Sequence, residues 1–378
     1  MTSLRVSVNT LSVTAENEGI RTLLTGLVPA MVRVGGHHRY RLICSRANVH
    51  LFDAVGDAAE RLVLKPSRRR PLERIWHDQV TVPRIVRKGT DVLFTPSSVG
   101  SLLATVPQVV ALPAHLALAS VRSEVAGMRL SASHRFYYGP VMRLSHRRAA
   151  VVTPISEYLG EKLVADNGLP AEKVKPILCG VDPVVRQDGP STDRRYALFV
   201  GTLYPYKNAT AAVEAFATAR SDLPAGFRLV VAGRDPDGCQ RGQLEALAAR
   251  LGVGDGVELL GPVDDAALES LYRNAPVLLL PSRCEGFGLP VLEAMARGVP
   301  VIAANRTSLP EVVAGAGLLV DPDRPDDLAG PLVDVATDPQ LRCRLVAAGL
   351  SRAEALSWDT AARAYVELFD AVGQRGDR

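Results

Sequence analysis

The chain has 378 residues, of which 47% are hydrophobic and 22% charged, with a formal net charge of +4. That length and apolar share suffice for two globular cores and exclude a disordered or low-complexity chain. No apolar run approaches the roughly 20 residues of a membrane span, and the five cysteines (Cys44, Cys179, Cys239, Cys284, Cys343) are scattered without a C-x-x-C pair. Dispersed thiols of odd number argue for a reduced, cytoplasmic setting. The N-terminal MTSLRVSVNTLSV reads as a strand, so no signal peptide is expected. Charge is uneven: residues 1–182 carry +10 and the remainder −6. A basic first half suits an anionic acceptor or peripheral contact with an acidic membrane surface, and equally a solvated Arg-rich face.

In chain order, Arg5–Asn9 reads as the first strand, followed by a loop ending at Gly19. Ile20–Val34 has helical periodicity, with Ile20, Leu23, Leu24, Leu27 and Met31 on one face. Arg39–Cys44 reads as a second strand. Lys65–Arg74 is a basic loop entering a helix, and no nucleic-acid-binding motif accompanies it. Asp91–Phe94 and Gln108–Leu112 read as core strands, and His115 follows the second. His134–Arg148 reads as a basic helix and Ala149–Thr153 as a strand. Ser156 is placed to cap a helix from Glu157. The strand–loop–helix order is that of an α/β domain. It lacks the G-x-G-x-x-G that a dinucleotide oxidoreductase would carry after its first strand.

Residues 183–194 are polar and contain Pro and Gly, as an interdomain linker does. From Tyr196 a strand runs to Gly201, a loop carries Lys207, and a helix begins near Asn208. A lysine at such a junction can neutralise phosphates. Phe227–Ala232 is the next strand, followed by Gly233-Arg234, then a helix over Gln240–Leu251 and a strand over Val257–Leu260. Two D-x-D triplets, Asp235-Pro236-Asp237 and Asp321-Pro322-Asp323, sit in Pro-containing turns, where Asp is common. No His/Cys/Asp group has metal-ligand spacing, and no metal is expected.

The stretch from Pro276 to Asn305 combines a buried strand, Val277–Leu280, a loop Glu285-Gly286-Phe287-Gly288, a helix Leu289–Arg297 and a strand Val299–Ala304. Pro290 suits the first turn of the helix, and Gly298 its end. In an open α/β sheet this loop lies beyond the carboxyl ends of the strands, where ligands bind. Glycines and a helix N-terminus receive an anion, while Glu285 and Glu293 can accept from sugar hydroxyls. A ligand with phosphate and polyol parts, such as a sugar nucleotide, fits both. Cys284, beside Glu285, has no partnered base and reads as a packing residue. Leu318–Asp321 precedes another helix, and the last helices run from about Pro339 to Gly373.

The segment PSRCEGFGLPVLEAMARGVPVIAAN closely resembles the E-x7-E region of family-4 retaining glycosyltransferases of the GT-B fold. Three further stretches fit that resemblance: Val151–Asp182, closing on Gly180-Val181-Asp182; YALFVGTLYPYKNATAAVEAF from Tyr196; and Pro310-Glu311. The resemblance implies an α/β, GT-B architecture of two facing Rossmann-like domains with a donor cleft between them. Residues 1–182 would bind the acceptor and 195–355 the nucleotide sugar, with 356–378 a helix crossing back to the first domain.

It also implies roles. Glu285 lies by the transferred sugar and Glu293 binds the nucleotide ribose. The amides of Gly286, Phe287, Gly288 and Leu289 line the donor sugar and phosphate. Lys207, with Gly201 and Thr202, belongs to the diphosphate loop, Gly233 to the donor side, and Val263 to a loop that touches the base through its backbone. The chain departs from the pattern in three places. Only Gly19 remains of a glycine-rich first loop beside the acceptor. The His-Asp pair after Gln108–Leu112 is replaced by Pro113-Ala114, with His115 the candidate for its catalytic role. The diphosphate-loop Arg is absent at Thr202 and Tyr206, leaving Arg283 or Arg234 to supply that charge.

The expected function is transfer of a hexosyl group, with retention, from a nucleotide-diphosphate sugar (UDP- or GDP-linked) to a small-molecule or lipid-linked acceptor. The catalytic set would be Glu285, Lys207 and His115. The alternatives are a non-catalytic sugar-nucleotide-binding protein or partner subunit, and an epimerase or hydrolase of sugar nucleotides on the same fold.

Overall fold

The computed structural model describes residues 3–13, 18–64, 75–113, 121, 138–182, 184 and 195–374. Two compact units are present: Met1–Gly180 with Leu356–Arg378, and Val181–Ala355.

The first unit is built on β1 (Arg5–Asn9), β2 (Arg39–Ser45), β3 (Ala59–Leu64), β4 (Val92–Thr95), β5 (Gln108–Leu112) and β6 (Val151–Pro154). All pair in parallel, in the order β3-β2-β1-β4-β5-β6. β4, β5 and β6 are buried along their whole length, as befits parallel strands covered on both faces. The helices are α1 (Glu18–Val34), α2 (Val82–Val86, entered through a π turn over His77–Thr81), α3 (Gly139–Arg148) and α4 (Glu157–Asn167). Ser156 caps α4, its side chain accepting from Leu159 N–H at 3.2 Å, and Gly168 ends it in the left-handed region.

The second unit repeats the same order. Its strands are β7 (Tyr196–Val200), β8 (Arg228–Ala232), β9 (Val257–Gly261), β10 (Val277–Leu280), β11 (Val301–Ala304) and β12 (Leu318–Val320), arranged β12-β11-β10-β7-β8-β9. Its helices are α5 (Ala209–Ala219), α6 (Gln240–Arg250), α7 (Asp265–Asn274), α8 (Leu289–Ala296), α9 (Leu309–Val313), α10 (Asp326–Thr337) and α11 (Pro339–Ala355). The core packs Phe199, Phe216 and Val213 against Leu279, Ile302, Leu328 and Leu332. The closing helix α12 (Trp358–Gly373) packs in the first unit: its Tyr365 and Phe369 rings lie 4.8 and 5.6 Å from that of Phe94. Tyr365 Oη also meets Thr153 Oγ1 at 3.0 Å.

Each sheet thus reverses its strand order once, between β1 and β4 and between β7 and β10, which is the doubly wound pattern. No helix among the described residues is long and apolar enough to cross a membrane.

His146 on α3 is fully buried. Its Nδ1 accepts from Asn167 Nδ2 at 3.0 Å, so its Nε2–H donates to Ser98 O at 2.8 Å. Burial outweighs the Ser98 contact and pushes its pKa down to about 4. A depressed folded pKa gives stability that is complete above the unfolded value of about 6.5 and is lost as pH falls through the folded one. Unfolding free energy is expected to fall by about 2 kcal/mol between pH 7.5 and pH 5 from this group. Urea titrations at the two pH values measure it. A His146→Asn chain that keeps the full step would remove the assignment.

Candidate active site

In the second sheet the chain leaves β7 outward to β8 and β9, then returns to build β10, β11 and β12 on the other side. The loops leaving β7 and β10 diverge, which opens room at the carboxyl ends of those two strands. The loop after β7 ends in a short 3-10 turn, Pro205–Lys207, and the loop after β10 carries Glu285.

The two loops meet through charge. Lys207 Nζ lies 2.7 Å from both Oε1 and Oε2 of Glu285. Both side chains are largely buried, at 15% and 5% exposure. A buried pair of this kind adds little stability over apolar packing of the same volume, because both ions are desolvated to form it. Its value lies in the charges it holds in place. Beneath it, Tyr204 and Tyr206 stack with ring centroids 5.5 Å apart. Burial, then the Glu285 charge, raises the Tyr206 phenol well above its ordinary pKa.

The backbone around the pair is fixed by side chains that sequence reading passed over. Asn208 follows Lys207 with φ +59°, and its Nδ2 donates to Pro281 O at 3.1 Å and Pro322 O at 2.8 Å. It joins the loops after β7, β10 and β12. The turn after β11 holds the Glu285 loop: Glu285 N–H donates to Thr307 Oγ1 at 3.0 Å. Ser308 Oγ donates to the carbonyls of Glu285 and Phe287, at 3.0 and 3.1 Å. Thr307 does this at φ +53°, a conformation strained for a β-branched residue. Replacing the fully buried Ser308 by Ala is expected to cost about 2 kcal/mol, because two carbonyls lose their shared donor. Urea unfolding tests this, and a cost below about 0.5 kcal/mol, the level of an ordinary surface change, would contradict it.

Glycine is required at two places. Gly288 caps α8 with φ +105°, and a Cβ there would lie 2.6 Å from Leu309 Cδ2. The N-terminus of α8 has no side-chain cap, and Pro290 occupies its first turn, so its partial positive charge faces the Glu285–Gly288 loop. At Gly233 a Cβ would lie 1.8 Å from Gly201 O. This approach is locked by Gly201 N–H to Ala232 O at 3.0 Å and Gly233 N–H to Gly261 O at 2.9 Å. Thr202 O accepts from Tyr204 N–H at 2.7 Å. Val263 is partly buried just beyond β9.

Glu293 stands in the second turn of α8, partly buried. Its Oε2 accepts from Tyr272 Oη at 2.8 Å, while Oε1 is in no hydrogen bond among the described residues. Burial raises the pKa of Glu293 above the carboxylate norm; Tyr272 and Arg297 oppose that shift.

The remaining candidates are placed as follows. Gly286 and Phe287 are buried and Leu289 begins α8. Cys284 is fully buried. Arg283 is exposed and paired with Asp323 at 2.6 Å. Arg306 meets Asp321 at 3.1 Å, and Asp235 Oδ2 accepts from Arg241 N–H at the start of α6. Asp235 therefore serves a helix start, Asp321 a turn and an ion pair, and Asp323 an ion pair. Gly19 is exposed in the first turn of α1, with nothing near its absent Cβ. His115, Lys65–Arg74 and linker residues 183 and 185–194 lie outside the described residues.

One group with metal-binding composition, not seen in the sequence, does occur: His37, His38 and Asp370, with ligand atoms within 4.8 Å of one another. Sequence spacing hides it because Asp370 arrives on α12. His38 Nδ1 accepts from Leu4 N–H at 3.3 Å. That contact leaves the ring proton on Nε2, which faces Asp370 at 3.5 Å. A metal-bound imidazole instead donates through its other nitrogen, so the group reads as a proton-bearing contact between α12 and the start of β2.

The chain is similar to known proteins in sequence and in fold. Residues 182–352 match the family model described as glycosyl transferases group 1. The chain is 31% identical over 223 residues to O-antigen chain mannosyltransferase B of Escherichia coli, covering 56% of this chain and 58% of that one. It is 38% identical over 189 residues to a D-inositol 3-phosphate glycosyltransferase of Streptomyces avermitilis, covering 48% and 41%. The chain spans about half the length of the curated relatives it matches. Among solved structures, Anabaena HepE in complex with UDP and glucose superposes with a TM-score of 0.75 at 18% identity, covering 97% of this chain and 100% of that one. The apo form of the lipopolysaccharide outer core galactosyltransferase WaaB gives 0.67 at 16% identity, covering 97% and 99%. These likenesses establish the fold: two Rossmann-like units of the GT-B type.

Proposed function

We propose that the chain is a retaining glycosyltransferase of the family-4 type that moves a hexosyl group from a nucleotide-diphosphate sugar to an acceptor. The observation that carries this reading is the meeting of Lys207 and Glu285 at the β7/β10 strand reversal, with Glu293 on the helix that leaves the same loop. A donor needs a cation for its diphosphate, acceptors for its sugar hydroxyls and a carboxylate for its ribose diol, and these three residues supply them. The names of the matched relatives support the class of reaction, and the UDP and UDP-glucose complexes of the structural neighbour make UDP the first probe.

Lys207 and the amides of Gly286–Leu289 would stabilise the charge that grows on the leaving diphosphate, as preorganised electrostatics. For this, Lys207 must turn part of its bonding from Glu285 to the phosphates. Glu285, so released, accepts from the sugar hydroxyls. The acceptor, small or lipid-linked, would be held by the first unit.

The test is a thermal-shift screen with UDP, GDP, ADP and TDP, followed by incubation of the matching sugar nucleotides with an acceptor panel. One nucleotide is expected to raise Tm by mass action, and its sugar conjugate to release that nucleotide only when an acceptor is present. Product NMR then reads the anomeric configuration. Release without acceptor would favour hydrolysis or epimerisation, and no shift with any nucleotide would remove the donor reading.

A further inference from the structure

Glu293 is not a free helix carboxylate. It is aimed from behind by Tyr272, the single buried residue of α7. Tyr272 Oη donates to Glu293 Oε2 at 2.8 Å, and the ring is 1% exposed. The ring itself is held in place. Arg297 lies over it, its guanidinium carbon 5.1 Å from the centroid. Arg297 is fixed in turn by Glu269 through Nε and Nη2, at 2.8 and 2.5 Å, and through Nη1 by the carbonyl of Glu293 at 2.8 Å. Arg273 completes the set on the other oxygen of Glu269, at 2.5 Å. The one carboxylate oxygen this network leaves without a partner among the described residues is Glu293 Oε1.

We propose that Tyr272 is the positioning residue for Glu293: it selects the carboxylate orientation that receives a ribose diol and so makes the site selective for ribonucleotides over 2′-deoxyribonucleotides. This rests on the reading of Glu293 as the ribose acceptor. The chemistry follows from the geometry. A carboxylate with one oxygen pinned by a phenol presents the other in a fixed direction. Two neighbouring hydroxyls can donate to it in place of one, and a 2′-deoxy sugar forfeits one of those bonds. A phenylalanine at 272 would fill the same space but let the carboxylate swing, so the advantage of the second hydroxyl would be spread over several orientations.

The experiment is calorimetric titration of UDP, GDP and their 2′-deoxy forms into four chains: wild type, Tyr272→Phe, Glu293→Ala and Arg297→Lys. Wild type is expected to prefer the ribonucleotide at least tenfold. Tyr272→Phe should lose most of that ratio, mainly by weakening the ribonucleotide, while its 2′-deoxy affinity stays within about twofold. Arg297→Lys keeps the phenol but removes the guanidinium that covers its ring, and should lose only part of the ratio; if it loses the ratio as completely as Tyr272→Phe does, general loosening of the helix end explains the effect and the proposal falls. Loss of the ratio in Glu293→Ala with its full retention in Tyr272→Phe would overturn the role of Tyr272 and leave Glu293 as the ribose acceptor. An unchanged ratio in Glu293→Ala would instead overturn the reading of Glu293 itself, and the proposal with it.

Discussion

Replacing Lys207 with methionine is expected to cost the fold about 3–5 kcal/mol and to slow transfer by about a thousandfold. The first figure follows from Glu285, 4% exposed, whose two oxygens both lie on the lysine ammonium. Without that ammonium a buried carboxylate has no counter-charge, the situation in which breaking a buried pair is most destabilising. The second follows from the proposed role, since removing one preorganised donor to a developing anion costs about 10²–10³ in rate. The two effects can be separated. Adding Glu285→Gln to Lys207→Met removes the stranded charge and should recover most of the stability, but none of the rate. Urea midpoints and donor turnover on both variants decide the matter. A wild-type midpoint for Lys207→Met would show that Glu285 finds another partner, and turnover in the stable double variant would remove Lys207 from the chemistry.

The second large effect is at Glu293. Glutamine there is expected to weaken nucleotide binding by about 10²–10³-fold, because hydrogen bonds to a charged acceptor contribute about 1.5–3 kcal/mol each and the ribose offers two. The same change should make the ligand-free protein more stable at neutral pH. The sign is set by burial, which raises the folded pKa of this carboxyl above its unfolded value. Such a group favours the fold below the unfolded pKa, and that contribution is lost as pH rises through the folded one. At pH 7.5, above the unfolded value, this group therefore opposes folding, and glutamine removes that opposition while still accepting from Tyr272. A rise in Tm is the expected result. Scanning calorimetry without ligand and titration with UDP read the two halves. A variant that is less stable and still binds would contradict both.

How much of this was legible in the sequence depends on burial. The bounds of β1, β5 and β10 can be read directly: β1 alternates Val6 and Val8 with polar residues, and β5 and β10 are short, largely apolar runs closed by prolines and buried at every position. β3 is not legible: in AERLVL only Ala59 is buried, since an edge strand facing solvent needs no clean alternation. The same holds for α7, whose ten residues bury Tyr272 alone. Glu285, Lys207 and Glu293 stand out by residue type and by their places at strand ends. Their bonds to one another and to Asn208, Thr307, Ser308 and Tyr272 do not, because each joins loops or helices far apart in the chain, 78 residues in the case of Lys207 and Glu285. A threonine and a serine in a turn look like ordinary turn residues until φ and the bonding partners are known.

The position of α12 bears on how the protein is made. The second unit has all its residues, Val181–Ala355, before α12 is synthesised, whereas the first needs Leu356 onward to be complete. The first 180 residues must therefore leave the ribosome with the Phe94 surface uncovered and wait for Tyr365 and Phe369. Assembly thus runs against the direction of synthesis: the later unit can close first, and the earlier one finishes only after the residues of α12 have been made. Exposed apolar surface during that delay is the kind that chaperones shield, and a ribosome stalled short of residue 358 would leave a nascent chain whose first half cannot complete its core.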